Sequence, residues 1–228
     1  MAAQHYEQFA NLYPDHPMSR VMPNLDINHG DRVETVVSMS SKAVMLNRYA
    51  ADYFGDKHPY ATMEMKQGDY NCTLLRTVGG KVVTLNFDTN TPHPRGFYRL
   101  QGTKGVNLSD RYSGDRIYFE GQSPKEHQWE SAEPYTEQSQ PPLLKNFKYE
   151  PRKIRGHGSS SSGMILRWLR LLEALQNNKM PDWDVYDSVT SSPISPLSEM
   201  SVANRSNQVE FPDFTKGEWQ NRAPIMLL

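Results

Sequence analysis

The sequence predicts an α+β fold, in which an open, largely antiparallel or mixed sheet carries helices on one face. Two β-rich runs flank a two-residue Gly79-Gly80 turn, as a tight hairpin requires. A strongly amphipathic helical pattern covers residues 164–176. Predicted helices and hairpin strands follow one another in mixed order, which is typical of this fold class.

The first predicted element is a helix over residues 15–27. Val21 and Leu25 share its apolar face, Asp15 is suited to its N-cap, and Pro23 is expected to kink it. The same patterns predict the next elements in chain order: a strand at residues 33–40, a helix at 42–54, hairpin strands at 70–78 and 81–89, and short strands at 97–101 and 116–120.

Two apolar patterns in this half belong to a strand and to a helix. In the second hairpin strand, Val83, Leu85 and Phe87 alternate with less apolar or polar residues, so one face of that strand is expected in the core. In the helix at 42–54, five residues share an apolar face: Leu46, Tyr49, Ala50, Tyr53 and Phe54.

The second half of the chain begins with a long polar loop, predicted at residues 122–142. The helix at 164–176 follows, and core packing is the default explanation of its apolar side. A further helix is predicted over 184–204, with a kink or a break at Pro193 and Pro196. The apolar side of the helix at 164–176 consists of Ile165, Trp168, Leu169, Leu172 and Leu175. We interpret residues 1–228 as one domain.

Composition excludes several classes of protein. The 228 residues are 37% hydrophobic and 22% charged, with a net charge of −1, so no overall field would attract nucleic acid or an anionic membrane. Cys72 is the only cysteine, which rules out an intrachain disulfide, and we predict it to be a small buried residue. No apolar run approaches the ~20 residues of a membrane span. The first residues do not resemble a signal peptide, and the localisation is not predicted.

Few residues carry a recognisable chemistry. The sequence has no glycine-rich phosphate loop, no cysteine pair and no H-E-x-x-H, so no metal site is predicted. Tyr13, Asp15 and His16 cluster at the start of the first predicted helix. Taken alone, this cluster is explained by packing and by a helix start, although residues at the ends of elements are also where sites are built. Four histidines occupy such ends: His16, His29, His93 and His157.

Many short motifs, in the same order, resemble one protein family. The resemblance is to the C-terminal domain of NAD-dependent glycoside hydrolases of the α-N-acetylgalactosaminidase type, glycoside hydrolase family 109, within the Gfo/Idh/MocA oxidoreductase superfamily. It covers nearly the whole chain except residues 122–155. The motifs that carry it are NLYPDH, LDINHGDRVETVVSMSS, HPYA, GDYNCTLLRT, DTNTP, QGTKG, DVYD, PLSEMSVANRS and VEFPDFTKGEW.

The resemblance implies a two-domain protein in which an N-terminal Rossmann domain holds NAD. The C-terminal domain closes over the sugar. In that family NAD oxidises a ring hydroxyl, the leaving group is eliminated, water adds, and the hydride is returned, so the cofactor is recycled. We expect the dinucleotide-binding domain to be absent from this chain, and the chain alone to be inactive.

The resemblance also implies site residues. Tyr13 and His16 fall on the family's sugar-facing YPxH motif, as a hydrogen-bonding or proton-relaying hydroxyl and a proton-transferring imidazole, and Tyr13 also faces the nicotinamide. His157 belongs to the family's HG motif and is expected near the substrate. The sequence departs from the family at Arg95, which aligns with a sugar-contacting Tyr, and Tyr98 is a candidate substitute.

Three functions follow as expectations. The chain is the sugar-substrate domain of a glycosidase that requires a Rossmann domain as its partner, or of a sugar oxidoreductase, or it is a non-catalytic domain for oligomerisation or sugar binding. Because one face of the sheet is left uncovered, we expect a homo-oligomer formed through the sheet. No nucleic-acid or membrane partner is expected.

Overall fold

The computed structural model describes residues 8–90, 97–110, 114–135 and 162–225, with the backbone alone for residues 162–167. The α+β prediction is confirmed, with two four-stranded antiparallel sheets in place of one. The chain divides into two compact units, one formed by Met1–Thr91 with Gly163–Met226 and the other by Pro92–Ser162 with Leu227–Leu228.

The first unit is built on a sheet with strand order β3-β2-β1-β8, in which all neighbours are antiparallel. The predicted hairpin is confirmed, since β2 and β3 pair on either side of the Gly79-Gly80 turn. The elements of this unit are α1 (Asp15–Leu25), β1 (Val33–Ser40), α2 (Met45–Phe54), α3 (Pro59–Thr62), β2 (Tyr70–Thr77), β3 (Val82–Asp88), α4 (Ser162–Gln176), α5 (Val185–Ser191), α6 (Ile194–Ala203) and β8 (Val209–Glu210).

The second unit contains an antiparallel meander in the order β4-β5-β6-β7. The prediction of an uninterrupted loop over 122–142 is wrong within the described residues, because β7 pairs there with the middle of β6, at Arg116 and Ile117. The last part of that predicted loop, residues 136–142, lies outside the described residues. The strands are β4 (Phe97–Gln101), β5 (Gly105–Asp110), β6 (Gly114–Phe119) and β7 (Glu130–Ser131).

The core of the first unit includes helix α6, which packs against β1, and helix α1, which packs against α5. Met18 and Met22 of α1 and Ile194 of α6 are fully buried, as are Val36 of β1 and Leu75 of β2. Burial of these apolar side chains supplies the main driving force for folding this unit. The predicted inward face of β3 is largely confirmed, because Val83 and Leu85 are buried and Phe87 is half-buried.

The inward face of β2 is unexpectedly polar. Asn71 and Thr73 are completely buried, and the hydroxyl of Ser38 in β1 lies 3.2 Å from Asn71 Oδ1 and 3.0 Å from Thr73 Oγ1. Ser201 of α6 completes the layer by accepting a 2.8 Å hydrogen bond from the Ser38 N–H. Cys72 lies on the opposite face and is half-buried, so the prediction of a buried cysteine is wrong.

Two helix boundaries differ from the predictions for local reasons. Pro14, not Asp15, is the N-cap of α1, and its carbonyl accepts the Met18 N–H at 3.0 Å. Helix α2 begins three residues later than predicted because the Asp69 carboxylate, distant in sequence, accepts the N–H groups at its start. A side chain from another segment therefore fixes where this helix begins.

The apolar faces of two helices are exposed, which for α4 corrects the prediction of core packing. On α2 the side chains of Tyr49 and Tyr53 are 64% and 70% exposed, and only Ala50 is buried. On α4 four apolar residues are about half exposed or more. Periodicity shows which face of a helix is apolar but does not identify what covers it. The exposed residues of α4 are Trp168, Leu169, Leu172 and Leu175.

Rings of α2, of α3 and of His58, the half-buried N-cap of α3, form a continuous row. The Tyr49 and Tyr53 rings lie 6.0 Å apart between centroids, and Phe54 stacks on His58 at 4.6 Å. Tyr60 continues the row beyond His58, with ring centroids 5.2 Å apart. We refer to these five residues as the aromatic row.

Candidate functional site

Tyr13 and His16 form an exposed, stacked pair at the start of α1. Their ring centroids are 4.8 Å apart with 27° between the planes, and 56% of the Tyr13 surface is open to solvent. His16 is also exposed, one residue inside the helix. The pair presents a phenol hydroxyl and an imidazole side by side, a combination that can hydrogen-bond a sugar hydroxyl and transfer a proton.

The chain before this pair is held in the interior of the first unit. Asn11, two residues before Tyr13, is 2% exposed, and Pro14 is buried on the other side. The exposed Tyr13 is therefore flanked by buried residues, which limits how far its backbone can move. This anchoring depends on contacts with residues far away in sequence.

The other three predicted site residues lie in the second unit or outside the described residues. Tyr98 lies in β4 of the second unit, half-buried, with Ser109 of β5 as its strand partner. Arg95 and His157 lie outside the described residues. Of the five predicted site residues, the structure therefore brings together Tyr13 and His16.

A second polar cluster, missed as a unit by the sequence patterns, surrounds His29. Its Nδ1 donates to the Ala223 carbonyl at 2.5 Å, and its Nε2 lies 3.1 Å from Arg222 Nη2 and 3.3 Å from Asp187 Oδ1. Asp187 is completely buried and also accepts from Asn28 Nδ2 at 3.2 Å. Because its members are buried and bonded to one another, we interpret this cluster as structural.

The same cluster caps α5. Asp184 and Asp187 form a capping box, in which each side chain accepts the backbone N–H of the other residue. Arg222 donates to Asp184 at 2.8 Å and so connects the C-terminal segment to the start of α5. The motifs NHGDR and DVYD were the sequence signal for these residues, but their contact could not be read from either motif alone.

Asp31 lies at the hairpin tip and is 3% exposed. Burial by itself would raise the pKa of this carboxyl. Hydrogen bonds from the Gly79 N–H, the Thr77 hydroxyl, the Arg32 N–H and Lys81 outweigh burial and hold the pKa below its ordinary value.

This lowered pKa predicts a specific pH dependence. A carboxyl with a lower pKa in the folded state stabilises the fold above its unfolded pKa of about 4, and that stabilisation is lost as pH falls through the folded value. Asp31→Asn should therefore reduce the free energy of unfolding at pH 7, and the difference from the parent chain should shrink below about pH 4. Urea unfolding across this pH range measures it, and a difference that does not change with pH would contradict it.

Metal-binding clusters and membrane-spanning helices are both absent from the described residues. None of the described ranges contains a group of three or more His, Cys, Asp or Glu residues able to hold a metal ion. No helix in the described part of the chain is long and apolar enough to cross a membrane.

Comparisons with known proteins assign the chain to a family. The model of the glycosyl hydrolase 109 C-terminal domain matches residues 2–221. A glycosyl hydrolase family 109 protein of Solibacter usitatus (strain Ellin6076) is 37% identical over 223 residues, which cover 97% of this chain and 49% of the relative. An alpha-N-acetylgalactosaminidase of Tannerella forsythia is 33% identical over 219 residues, covering 96% of this chain and 45% of the relative.

Solved structures support the assignment of an α+β fold. Levoglucosan dehydrogenase in complex with NADH matches with a TM-score of 0.51 at 15% identity, over 80% of this chain and 45% of that chain. At this identity the match shows the fold alone, which is that of the C-terminal domain of oxidoreductase-like proteins. The chain spans about half the length of the relatives it matches. It belongs to the glycosyl hydrolase 109 family and corresponds to the C-terminal domain of that family.

Proposed function

We propose that this chain is the sugar-facing domain of an enzyme that hydrolyses α-N-acetylgalactosaminide-like glycosides with NAD as a recycled cofactor. The observation that carries the proposal is the exposed Tyr13–His16 stack at the start of α1. The similarity to the alpha-N-acetylgalactosaminidase of Tannerella forsythia supports the choice of sugar.

Each residue of the pair has a distinct part in this proposal. His16 accepts or donates the proton at the sugar, because an imidazole can do either and its ring is open to solvent. Tyr13 hydrogen-bonds a sugar hydroxyl through its phenol oxygen, and its ring holds the imidazole in place by stacking. Arg95, Tyr98 and His157 are proposed to contact the sugar as well.

The described residues fit NAD only in part. An exposed flat pair of rings suits the nicotinamide side, and we propose Tyr13 as its contact. All ladders between the named strands are antiparallel, whereas the turn that cradles a dinucleotide diphosphate joins a parallel strand to a helix. We therefore assign the diphosphate to a Rossmann domain partner, for which the length of the relatives leaves room. When bound, NAD supplies the hydride chemistry.

Fusion to such a partner tests the proposal. The joined protein consists of this chain placed behind the part of the Solibacter usitatus relative that precedes its matched region. We expect the joined protein to release the aglycone from an aryl α-N-acetylgalactosaminide. The chain alone should neither cleave this substrate nor bind NAD at micromolar concentration in a calorimetric titration. Sugar oxidation without aglycone release would instead support an oxidoreductase, and micromolar NAD binding by the chain alone would contradict the division of roles.

We also propose that the chain associates through the open face of its first sheet. Met39, Leu74 and Val82 lie on that face and are 66%, 42% and 65% exposed. Exposed apolar surface of this kind commonly forms interfaces between protein chains.

Light scattering at high concentration tests this association. The parent chain should exceed the monomer mass, and Leu74→Lys should return it to the monomer. Leu175→Lys, an equally drastic change on the exposed face of α4, is the matched control and should leave the mass unchanged. A monomeric parent chain, or a monomer produced by the control variant alone, would contradict an interface on the sheet.

A further inference from the structure

Three residues before Tyr13, the backbone is bound by a buried side-chain amide. The Oε1 of Gln67 accepts the Ala10 N–H at 3.2 Å, and its Nε2 donates to the Ala10 carbonyl at 3.2 Å. Gln67 is 1% exposed and Ala10 is 1% exposed. One side chain thus satisfies both polar groups of a single residue, as a neighbouring strand would.

The next residue is held from two other elements. The Asn11 N–H donates to Ser198 Oγ at 2.9 Å, and the Asn11 carbonyl accepts from Ser195 Oγ at 2.7 Å, both on α6. The Asn11 side chain donates in turn to the Leu85 carbonyl of β3 at 3.3 Å. Ala10 and Asn11 are therefore fixed relative to the loop before β2, to β3 and to α6.

We refer to these hydrogen bonds to Ala10 and Asn11 as the clamp. Burying a short segment through polar contacts of this kind is energetically demanding. Each buried polar group must be paired or it destabilises the fold, and an apolar contact of similar size would carry no such risk. What the hydrogen bonds add is direction, because they fix the backbone of Ala10 and Asn11 in one orientation. Tyr13 follows two residues later, and buried Pro14 with its fixed φ then leads into the first turn of α1.

We propose that Gln67 and Asn11 are positioning residues for the Tyr13–His16 pair. They do not touch the pair but set the path of the backbone that presents it. The catalytic effect of this positioning rests on the proposed function. In an active site, a displacement of catalytic groups by about 1 Å can reduce turnover by about 10²-fold. Its structural content, that loss of the clamp releases the ring stack, can be measured without a sugar.

NMR of this chain provides that measurement. Nuclear Overhauser contacts between the Tyr13 and His16 rings should be present in the parent chain and lost in Gln67→Met, which keeps size but removes both hydrogen bonds. Thr77→Val is the matched control, since Thr77 is completely buried, accepts the Lys81 N–H, and lies at the far end of β2. It should lower the melting temperature but keep the ring contacts. Persistent contacts in Gln67→Met, or equal loss in Thr77→Val, would overturn the proposal.

A milder variant keeps the test decisive if Gln67→Met does not fold. Ser195 is half-buried, and Ser195→Ala removes its hydrogen bond to the Asn11 carbonyl. This variant should weaken the Tyr13–His16 contacts, and unchanged contacts would overturn the proposal.

Turnover of the joined protein separates this inference from the proposed function. Gln67→Met should lower kcat by about tenfold or more per folded molecule, and Thr77→Val should not. Unchanged kcat in Gln67→Met, where His16→Ala is strongly impaired, would overturn the positioning role. Unchanged kcat in His16→Ala would count against the proposed function instead, and the ring contacts would still decide whether the clamp holds the pair.

Discussion

Replacing His16 with Ala, or Tyr13 with Phe, is expected to lower turnover of the joined protein by more than about tenfold. A positioned acid–base group contributes about 10²–10⁴-fold in rate, and His16→Ala removes that group entirely. Tyr13→Phe keeps the ring that stacks on His16 but removes the hydroxyl proposed to bond the sugar. The measurement is kcat on an aryl α-N-acetylgalactosaminide, normalised to folded protein.

Stability separates a functional role from a packing role for these two residues. Both are exposed, so each variant should melt within a few degrees of the parent, as surface substitutions usually do. Tyr53→Phe in the aromatic row removes an equally exposed hydroxyl and serves as the control, with unchanged turnover. Variants of Tyr13 and His16 that lose stability but keep turnover per folded molecule would show that the pair is structural.

Replacing Asp187 with Ala is expected to lower the free energy of unfolding by about 3–5 kcal/mol, as removal of one partner from a buried ion pair does. Asp187 is completely buried, and its loss would leave His29 and Arg222 without their shared carboxylate. It would also remove half of the capping box of α5. Urea unfolding at pH 7 measures the change.

The matched control for Asp187 is another aspartate in an ion pair. Asp182 bonds Arg170 through two nitrogens, but both side chains are partly exposed. Asp182→Ala should therefore cost about 1 kcal/mol or less, in line with surface ion pairs. Equal losses for the two variants would contradict the interpretation of the His29 cluster as a structural lock.

Elements with short-range signals could be predicted closely from the sequence. The strand Val33–Ser40 matches its prediction residue for residue, and the hairpin turns at Gly79-Gly80 as its pattern requires. The break at Pro193 separates α5 from α6 because proline cannot continue a hydrogen-bonded helix. In each case the information lies within a few neighbouring residues.

Features that depend on distant residues could not be predicted. The start of α2 is set by Asp69, and the path of the chain before Tyr13 is set by Gln67, 57 residues away from Ala10. Which apolar faces are covered is likewise a property of the assembled fold. The exposed face of α4 and the polar inward face of β2 both run against local hydrophobicity.

The candidate site shows the same difference between local and long-range contacts. Tyr13 and His16 are three residues apart, so their proximity follows from local geometry once α1 begins at Asp15. The contact of His29 with Asp187 joins residues 158 positions apart, with Arg222 as a third member. No periodicity or spacing in the sequence relates those three residues.

Tyr13 and His16 are proposed to form the surface that faces the sugar. The most direct measurement is an NMR titration of the joined protein with an α-N-acetylgalactosaminide, following assigned aromatic ring protons. We expect the largest shifts on the Tyr13 and His16 rings, with Tyr49 and Tyr53 of the aromatic row as an internal comparison, since both are at least as exposed as Tyr13. Shifts confined to the aromatic row, with Tyr13 and His16 unchanged at saturating sugar, would contradict the claim.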